Sequence, residues 1–459
     1  MAIACLLGAG FVLCLALNLP GHLSYDSIIQ LWEGRTGVYN TWHPPVMAWM
    51  LGLADSMVPG AALFVIFDAV LLYGAFLAIL ALRPTPHWRA ALVALVWLAT
   101  PQGLIYPGIV WKDVLFAAAT AAAFAALAWA EITWPDPRRR ALGLAGAAAM
   151  AALAALARQN GVVVLVGAAG ATAWIAGRNG GQRPARAALA YGAGFLAAAG
   201  LAVALSNAAL ALRGDGEPAA AYQIQDLQAY DLIAAVKIQP DLELKRLHEA
   251  SPRLEHLIRT DGVKAYSPSR IDSIQELQNL QATMSALPSE VIGGQWRDLV
   301  TGHPLLYLRV RAAAFGWVFL TPTLDLCLPV YVGVDGPQPW MGRLGLKTRV
   351  RASDDALAQY AESLVDTPLY SHVAYALLAV AMLARFVIRR RGADIAMAGL
   401  LASALGFTAT FFVISVSCDY RYLYALDVSV ILAAFYLALG VAGGRPRPRQ
   451  AGTPPPQDP

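Results

Sequence analysis

Long apolar runs dominate the chain, separated at short intervals by basic pairs, basic triplets or Pro/Gly breaks. A membrane-crossing helix needs about 20 predominantly apolar residues. Runs of that kind predict spans at roughly 2–20, 60–82, 90–108, 113–132, 141–157, 161–177, 187–211, 367–388, 393–416 and 422–442. The expected fold is therefore an all-α polytopic membrane protein with about ten transmembrane helices. Two further apolar segments are expected not to cross. His43 to Val58 reaches only about 24 Å as a helix, short of a core of roughly 30 Å. It opens with Pro44-Pro45, which suits a helix start after a loop. Leu305 to Leu320 is interrupted by Arg309 and Arg311 and suits a helix lying in the interface.

Residues 212–303 form the one sizeable polar block. There Leu242, Leu244, Leu247, Leu254 and Leu257 recur at roughly helical spacing, which predicts a small, mostly helical insertion. The chain then divides into an N-terminal transmembrane module, 1–211, with a first outer loop at 21–42 and an interfacial helix at 43–58. An extracytoplasmic insertion and interfacial segment, 212–366, follows. C-terminal transmembrane helices occupy 367–443, and the Arg/Pro-rich 444–459 is expected to be a disordered cytoplasmic tail. The first apolar run lacks a basic start and a small-residue cleavage site, so an uncleaved span is expected.

Composition sharpens this reading. The 459 residues are 58% hydrophobic and only 14% charged, where a soluble globule carries about a quarter. The net charge of +4 is small, and its basic residues sit in short loops. Arg83 with Arg89, Arg138-Arg139-Arg140, Arg178 with Arg183 and Arg186, and Arg389-Arg390-Arg391 are all cytoplasmic in one topology. That distribution argues against a nucleic-acid partner. Cys5, Cys14, Cys327 and Cys418 show no zinc-type spacing.

The same topology sends the most chemical residues to the opposite, outer face. Asp26 follows the first span, where a carboxylate can serve as general base or metal ligand; an N-cap for a helix near Ser27 is the structural alternative. His43 fits phosphate binding, proton transfer or a turn-fixing hydrogen bond. Lys112-Asp113 opens a span and offers a phosphate ligand beside an acid, or simply meets the helix dipole. Arg158-Gln159-Asn160-Gly161 joins two spans, and a lone outer guanidinium matches phosphate bidentately. His303, ahead of the second interfacial segment, and Asp419-Tyr420-Arg421, before the last span, complete the set. Asp68 lies within a span, where an acid is a functional candidate or a helix-pairing group. Tyr25, Trp42 and Trp111 are candidate sugar-stacking rings, although interfacial aromatics are common.

The order of these features resembles the GT-C superfamily of membrane glycosyltransferases, near the bacterial protein mannosyltransferase and arabinose-lipid-A transferase types. The resemblance rests on an Asp in the first outer loop, Trp42-His43-Pro44-Pro45, Lys112-Asp113, Arg158 with Asn160, and the late Arg421 loop, over residues 1–443. It implies a GT-C-like bundle with juxtamembrane helices. It also implies transfer of a sugar from a polyprenyl-phosphate donor to an extracytoplasmic glycan, lipid or protein acceptor. By that resemblance Asp26 and Asp113 are the catalytic acids, Lys112, Arg158 and Arg421 hold the donor phosphate, and Tyr25, His43, Asn160, His303 and Tyr420 position substrate. Many relatives carry adjacent acids in the first loop, whereas Ser27 follows Asp26 here, which argues against direct metal coordination and leaves a divalent metal open. Ala- and Arg-rich usage suggests a bacterial inner membrane. A transporter or flippase, and a surface-glycan polymerase or ligase, are the competing expectations.

Overall fold

The structure is a computed structural model describing residues 1–39, 43–212 and 219–440. Trp42 and the expected tail at 444–459 lie outside the described residues. Within them the chain is helical, and extended backbone pairs only in isolated bridges.

Eight described helices are long and apolar enough to cross a membrane: Ala62–Ala81, Lys112–Ile132, Pro137–Ala157, Gln159–Asn179, Pro184–Ala211, His372–Arg389, Asp394–Ile414 and Tyr420–Ala438. The protein is thus a multi-pass membrane protein, with eight straight candidate spans rather than ten. Two expected spans account for the difference. The run at 90–108 is two pieces, Arg89–Ala99 and Pro101–Gly108, bent by 75°. Thr100-Pro101 breaks it because proline has no N–H to continue the ladder. The first helix, Ala2–Asn18, has 17 residues, about 25 Å of rise against a hydrocarbon core of roughly 30 Å. Counting the bent pair as one crossing gives nine.

The His43–Val58 segment forms the helix Pro45–Met57, which packs against the helix Tyr25–Thr36. Their crossing is close because Gly34 and Gly52 face one another; a Cβ on either would run into the other's backbone. Arg35 clasps Asp55 through two bonds of 2.7 and 2.8 Å and ties the same pair of helices.

The polar block builds its own core. Leu242, Leu244, Leu247 and Leu254 are buried with Tyr230, Ile258 and Leu280, as the leucine spacing predicts. The helix Pro304–Leu320 turns Val310 and Ala314 into this core, and Arg311 is fully buried beside them. One flank of that helix is therefore protein-packed. Residues after it behave differently: Val334, Met341, Leu344, Leu357 and Ala361 belong to the core of the transmembrane bundle.

Candidate active site

Asp26 owes its place to local rules and to two backbone seams. Ser24 and Ser27 form a reciprocal capping box at the start of Tyr25–Thr36, and an acid in the first turn meets the positive end of the helix dipole. Upstream, His22 N donates to Gly108 O at 2.9 Å and Val110 N to His22 O at 3.0 Å. On the other side Leu23 N donates to Gly333 O at 2.9 Å, and Asp335 N to Leu23 O at 3.1 Å. The His22 ring bridges the same seam, accepting from Gly333 N and donating to Asn18 Oδ1, both at 2.9 Å. Burial pushes this imidazole down to about 4, so it acts as a neutral linker.

Around Asp26 five segments meet at one end of the bundle. Arg421 Nη2 donates to Asp26 Oδ2 at 2.7 Å and to Asp419 Oδ2 at 2.9 Å. Its Nε stands 3.8 Å from Asp113 Oδ2. Arg158 Nη1 donates to Asp113 Oδ1. Lys112 Nζ donates to His43 Nδ1 at 2.8 Å, and His43 Nε2 lies 3.8 Å from Asp26 Oδ1. The Arg421 guanidinium sits 4.8 Å over the Trp111 ring, and Tyr422 lies beneath both Arg158 and Arg421.

The electrostatics follow from these distances. Burial alone would raise the Asp26 carboxyl, but Arg421, with His43 and Lys112 behind it, holds it well below the usual carboxylate range. Burial, reinforced by Lys112, lowers His43 to about 3. A neutral His43 that accepts at Nδ1 carries its proton on Nε2, the nitrogen facing Asp26. Arg158 and Arg421 each have a carboxylate partner, whereas Lys112 is bonded to the neutral imidazole. Asp113 Oδ2, Arg158 Nε and Arg421 Nε are buried with hydrogen-bonding capacity unused. Buried polar atoms left unpaired beside fixed charges call for a further partner. Asp26 keeps a quarter of its side-chain surface exposed, and Tyr25 beside it is also exposed.

The structure thus brings together Asp26, His43, Lys112, Asp113, Arg158 and Arg421, six of the ten residues expected at the site, and sets Tyr25 at its rim. The other three lie differently. Tyr420 is fully buried and donates to Asp427 Oδ2 at 2.7 Å, with His372 stacked on its ring; it anchors the turn Tyr420–Leu423 that carries Arg421. Asn160 donates to Thr410 Oγ1 at 2.7 Å and holds two spans together. His303 is exposed at the N-cap of Pro304–Leu320, and its side chain joins none of the cluster's bonds. Trp111 is buried and donates its indole N–H to Ser24 Oγ at 2.9 Å, so its place is beneath Arg421 rather than against a sugar.

Arg270 is the participant that sequence reasoning missed. From the polar block its Nη2 reaches Asp419 Oδ1 at 3.2 Å and Leu326 O at 3.0 Å, and its backbone bridges to Ser417. Cys327 and Cys418 form a disulfide that joins the two segments Arg270 contacts, the turn Leu324–Cys327 and the extended residues before Tyr420. Nothing marks Arg270 among the many charges of that block. Among the described residues no group of three or more His, Cys, Asp or Glu side chains is arranged to hold a metal ion. Comparison with protein families, with curated proteins and with solved structures found no match to this chain.

Proposed function

We propose that this protein is a membrane glycosyltransferase of GT-C type, which moves a sugar from a polyprenyl-phosphate donor to an acceptor outside the cytoplasm. The observation that supports the reading is the single cluster in which Asp26 is bonded to Arg421 and faces His43 and Lys112, with Arg158 and Asp113 alongside. A lipid phosphate gains negative charge as the sugar bond breaks, and fixed cations around it lower that barrier. Lys112 is best placed to meet it, because its present partner is a neutral imidazole. Arg421 is next, and its move toward the phosphate has a consequence for Asp26. A carboxylate held by Arg421 is a feeble base. Once the donor phosphate competes for the guanidinium, the hold on Asp26 loosens and its basicity rises toward that of an ordinary carboxylate. Donor binding in this scheme prepares Asp26 to take the acceptor's hydroxyl proton, while Asp113 keeps Arg158 oriented.

The orientation with this end outside the cytoplasm, in a bacterial inner membrane, is part of the proposal. Two features support it. The basic loops gather at the opposite end of the bundle, and the Cys327–Cys418 disulfide belongs to an oxidising compartment.

The test is turnover of a panel of polyprenyl-phosphate sugars by purified protein, with Asp26→Asn and Arg158→Ala alongside. Retained donor binding with lost transfer in Asp26→Asn, and weakened donor binding in Arg158→Ala, is the expected pattern. A wild-type protein that transfers no sugar from any donor of the panel, or an Asp26→Asn that transfers as fast as wild type, overturns it.

One observation favours a second reading, proton-coupled transport. Asp68 is buried inside the Ala62–Ala81 span with neither carboxyl oxygen hydrogen-bonded, and such acids serve proton relays. Uptake or export that is driven by a proton gradient and lost in Asp68→Asn is its signature.

A further inference from the structure

A second site lies at the far end of the bundle, independent of the glycosyltransferase reading. A cavity of about 540 Å³ opens among the ends of three helices, Val162–Asn179, Pro184–Ala211 and His372–Arg389. The first and third of these begin beside the Asp26 cluster, through Arg158 and His372, so their other ends are remote from it. The cavity wall is small and apolar, made by Ala173, Gly177 and Ala188, and its rim carries Arg178, Arg390 and the indole of Trp174.

The chemistry of that rim is specific. The Arg390 guanidinium lies 5.5 Å over the Trp174 ring, and its Nε donates only to Val387 O, at 2.6 Å. Arg390 therefore brings a charge without a carboxylate partner among the described residues, on a backbone turned into the left-handed region at φ 49°. Arg178 stands 3.8 Å from Glu131 Oε1, too far for a hydrogen bond. Glu131 meanwhile accepts from Ala396 N at 2.9 Å through its other oxygen. Two guanidiniums from separate helices thus flank an apolar slot, with an interfacial indole between them. A free anion has no use for the apolar wall, whereas an amphiphile uses both parts.

We infer that this cavity binds the headgroup of an anionic phospholipid, its phosphate between Arg178 and Arg390 and the start of its acyl chains along Ala173, Gly177 and Ala188. Basic pockets between transmembrane helices recognise acidic headgroups in this way, and guanidinium is the cation whose geometry fits phosphate.

The experiment is native mass spectrometry of the full chain, delipidated in detergent and offered phosphatidylglycerol or phosphatidylcholine with identical acyl chains. The wild type is expected to retain one phosphatidylglycerol with a preference on the order of tenfold. Arg178→Gln/Arg390→Gln is expected to lose that preference. Because removing Arg178 leaves Glu131 without its cation, the milder Arg390→Gln is measured as well and is expected to lose most of it. Arg139→Gln, an exposed basic residue outside the cavity, is expected to keep it. Equal retention of both lipids by the wild type overturns the inference. So does an equal effect of Arg139→Gln and Arg390→Gln, which would mark diffuse surface charge. Displacement of the lipid by inorganic phosphate at similar concentration also overturns it, in favour of a free-phosphate site.

Discussion

Asp26 and Arg421, 395 residues apart, are joined by a bond of 2.7 Å between the first loop and the start of the last span. The bond keeps Asp26 ionised far into acid, which fixes the sign of its pH behaviour. A carboxylate depressed on folding contributes stability above its unfolded value near 3.9 and loses it only as pH falls through the lower folded value. Without donor, Asp26→Asn is therefore expected to remove about the same stability at pH 5 as at pH 8. Under the proposed function, transfer by Asp26→Asn should fall about 10²- to 10⁴-fold, the usual worth of a general base. Melting curves at the two pH values check the first expectation, and single-turnover rates the second. A rate within a factor of about three of wild type removes Asp26 from the base role.

His43 gives the opposite kind of signal. Its ring is neutral down to about pH 3 in the folded chain, while an unfolded histidine takes up its proton near 6.5. Stability from this group is thus present above pH 6.5 and lost as pH falls from there toward 3. His22, lowered to about 4, adds a second slope of the same sign. His43→Gln is expected to flatten the fall in melting temperature between pH 6.5 and 5 by about half, leaving the share due to His22. The pH profile of kcat/KM should show no histidine limb near 6.5. If the proposed transfer reaction is lost with an apparent pKa between 6 and 7 in wild type but not in His43→Gln, a neutral His43 is refuted.

Arg270 reaches the site only through Asp419, which in turn holds Arg421. On the proposed glycosyltransferase reading it is a positioning residue, so its loss should act on the orientation of Arg421. Arg270→Ala is expected to lower kcat/KM about tenfold, with Arg270→Lys intermediate. Asp419→Asn should cost a similar amount, and the double variant little more than either single, since both break one chain of contacts. Purely additive losses argue that Arg270 works elsewhere.

What the sequence made legible, and what it did not, divides along physical lines. Spans announce themselves because lipid demands a long uninterrupted apolar run, and only Thr100-Pro101 and the short first helix misled the count. Residues at span ends, such as Lys112, Arg158 and Arg421, stand out against apolar neighbours, and alternating helix direction carries them to one end. The polar block offers no such contrast, which is why Arg270 stayed hidden while His303, singled out there, lies apart from the cluster. Tyr420 shows the remaining gap. Its neighbour Arg421 faces the cluster, but the one-residue step around the turn sends the tyrosine inward to Asp427, and no spacing rule specifies that step.

The Cys327–Cys418 bond closes a loop with a sequence separation of 91, and chain entropy assigns such a closure about 4 to 5 kcal/mol. Cys5 and Cys14 are free, so the thiols are distinguishable. Cys327→Ser/Cys418→Ser is expected to lower the melting temperature, and reductant should no longer affect it. In intact cells, a membrane-impermeant maleimide should label Glu290→Cys, at an exposed position of the polar insertion, with the wild type as blank because Cys327 and Cys418 are fully buried. Labelling that requires permeabilised membranes puts the cluster on the cytoplasmic side.

Arg311 supports the sharpest stability prediction. It has no exposed surface and no slack: Nη1 donates to Asp231 Oδ1 at 2.6 Å, Nη2 to Ser415 O at 2.6 Å, and Nε to Phe412 O at 3.0 Å. It fastens the insertion to the C-terminal end of the span Asp394–Ile414, just ahead of Arg421. Burial pushes the Asp231 carboxyl up, against the opposing pull of Arg311, and Trp296 donates to its second oxygen at 2.9 Å. Arg311→Met keeps the volume and strips the charge, leaving a buried acid alone, a loss of about 3 to 5 kcal/mol. Without the guanidinium, Asp231 rises further and binds a proton instead of standing bare. A carboxyl raised on folding stabilises less as pH climbs past its unfolded value, so the variant should be worse off at pH 8 than at pH 5. Arg311→Met/Asp231→Leu should recover much of the loss and its pH dependence together. If Arg311→Met is equally destabilised at both pH values, the arginine acts through its three carbonyl and carboxylate bonds as packing, and the stranded charge is not the cause.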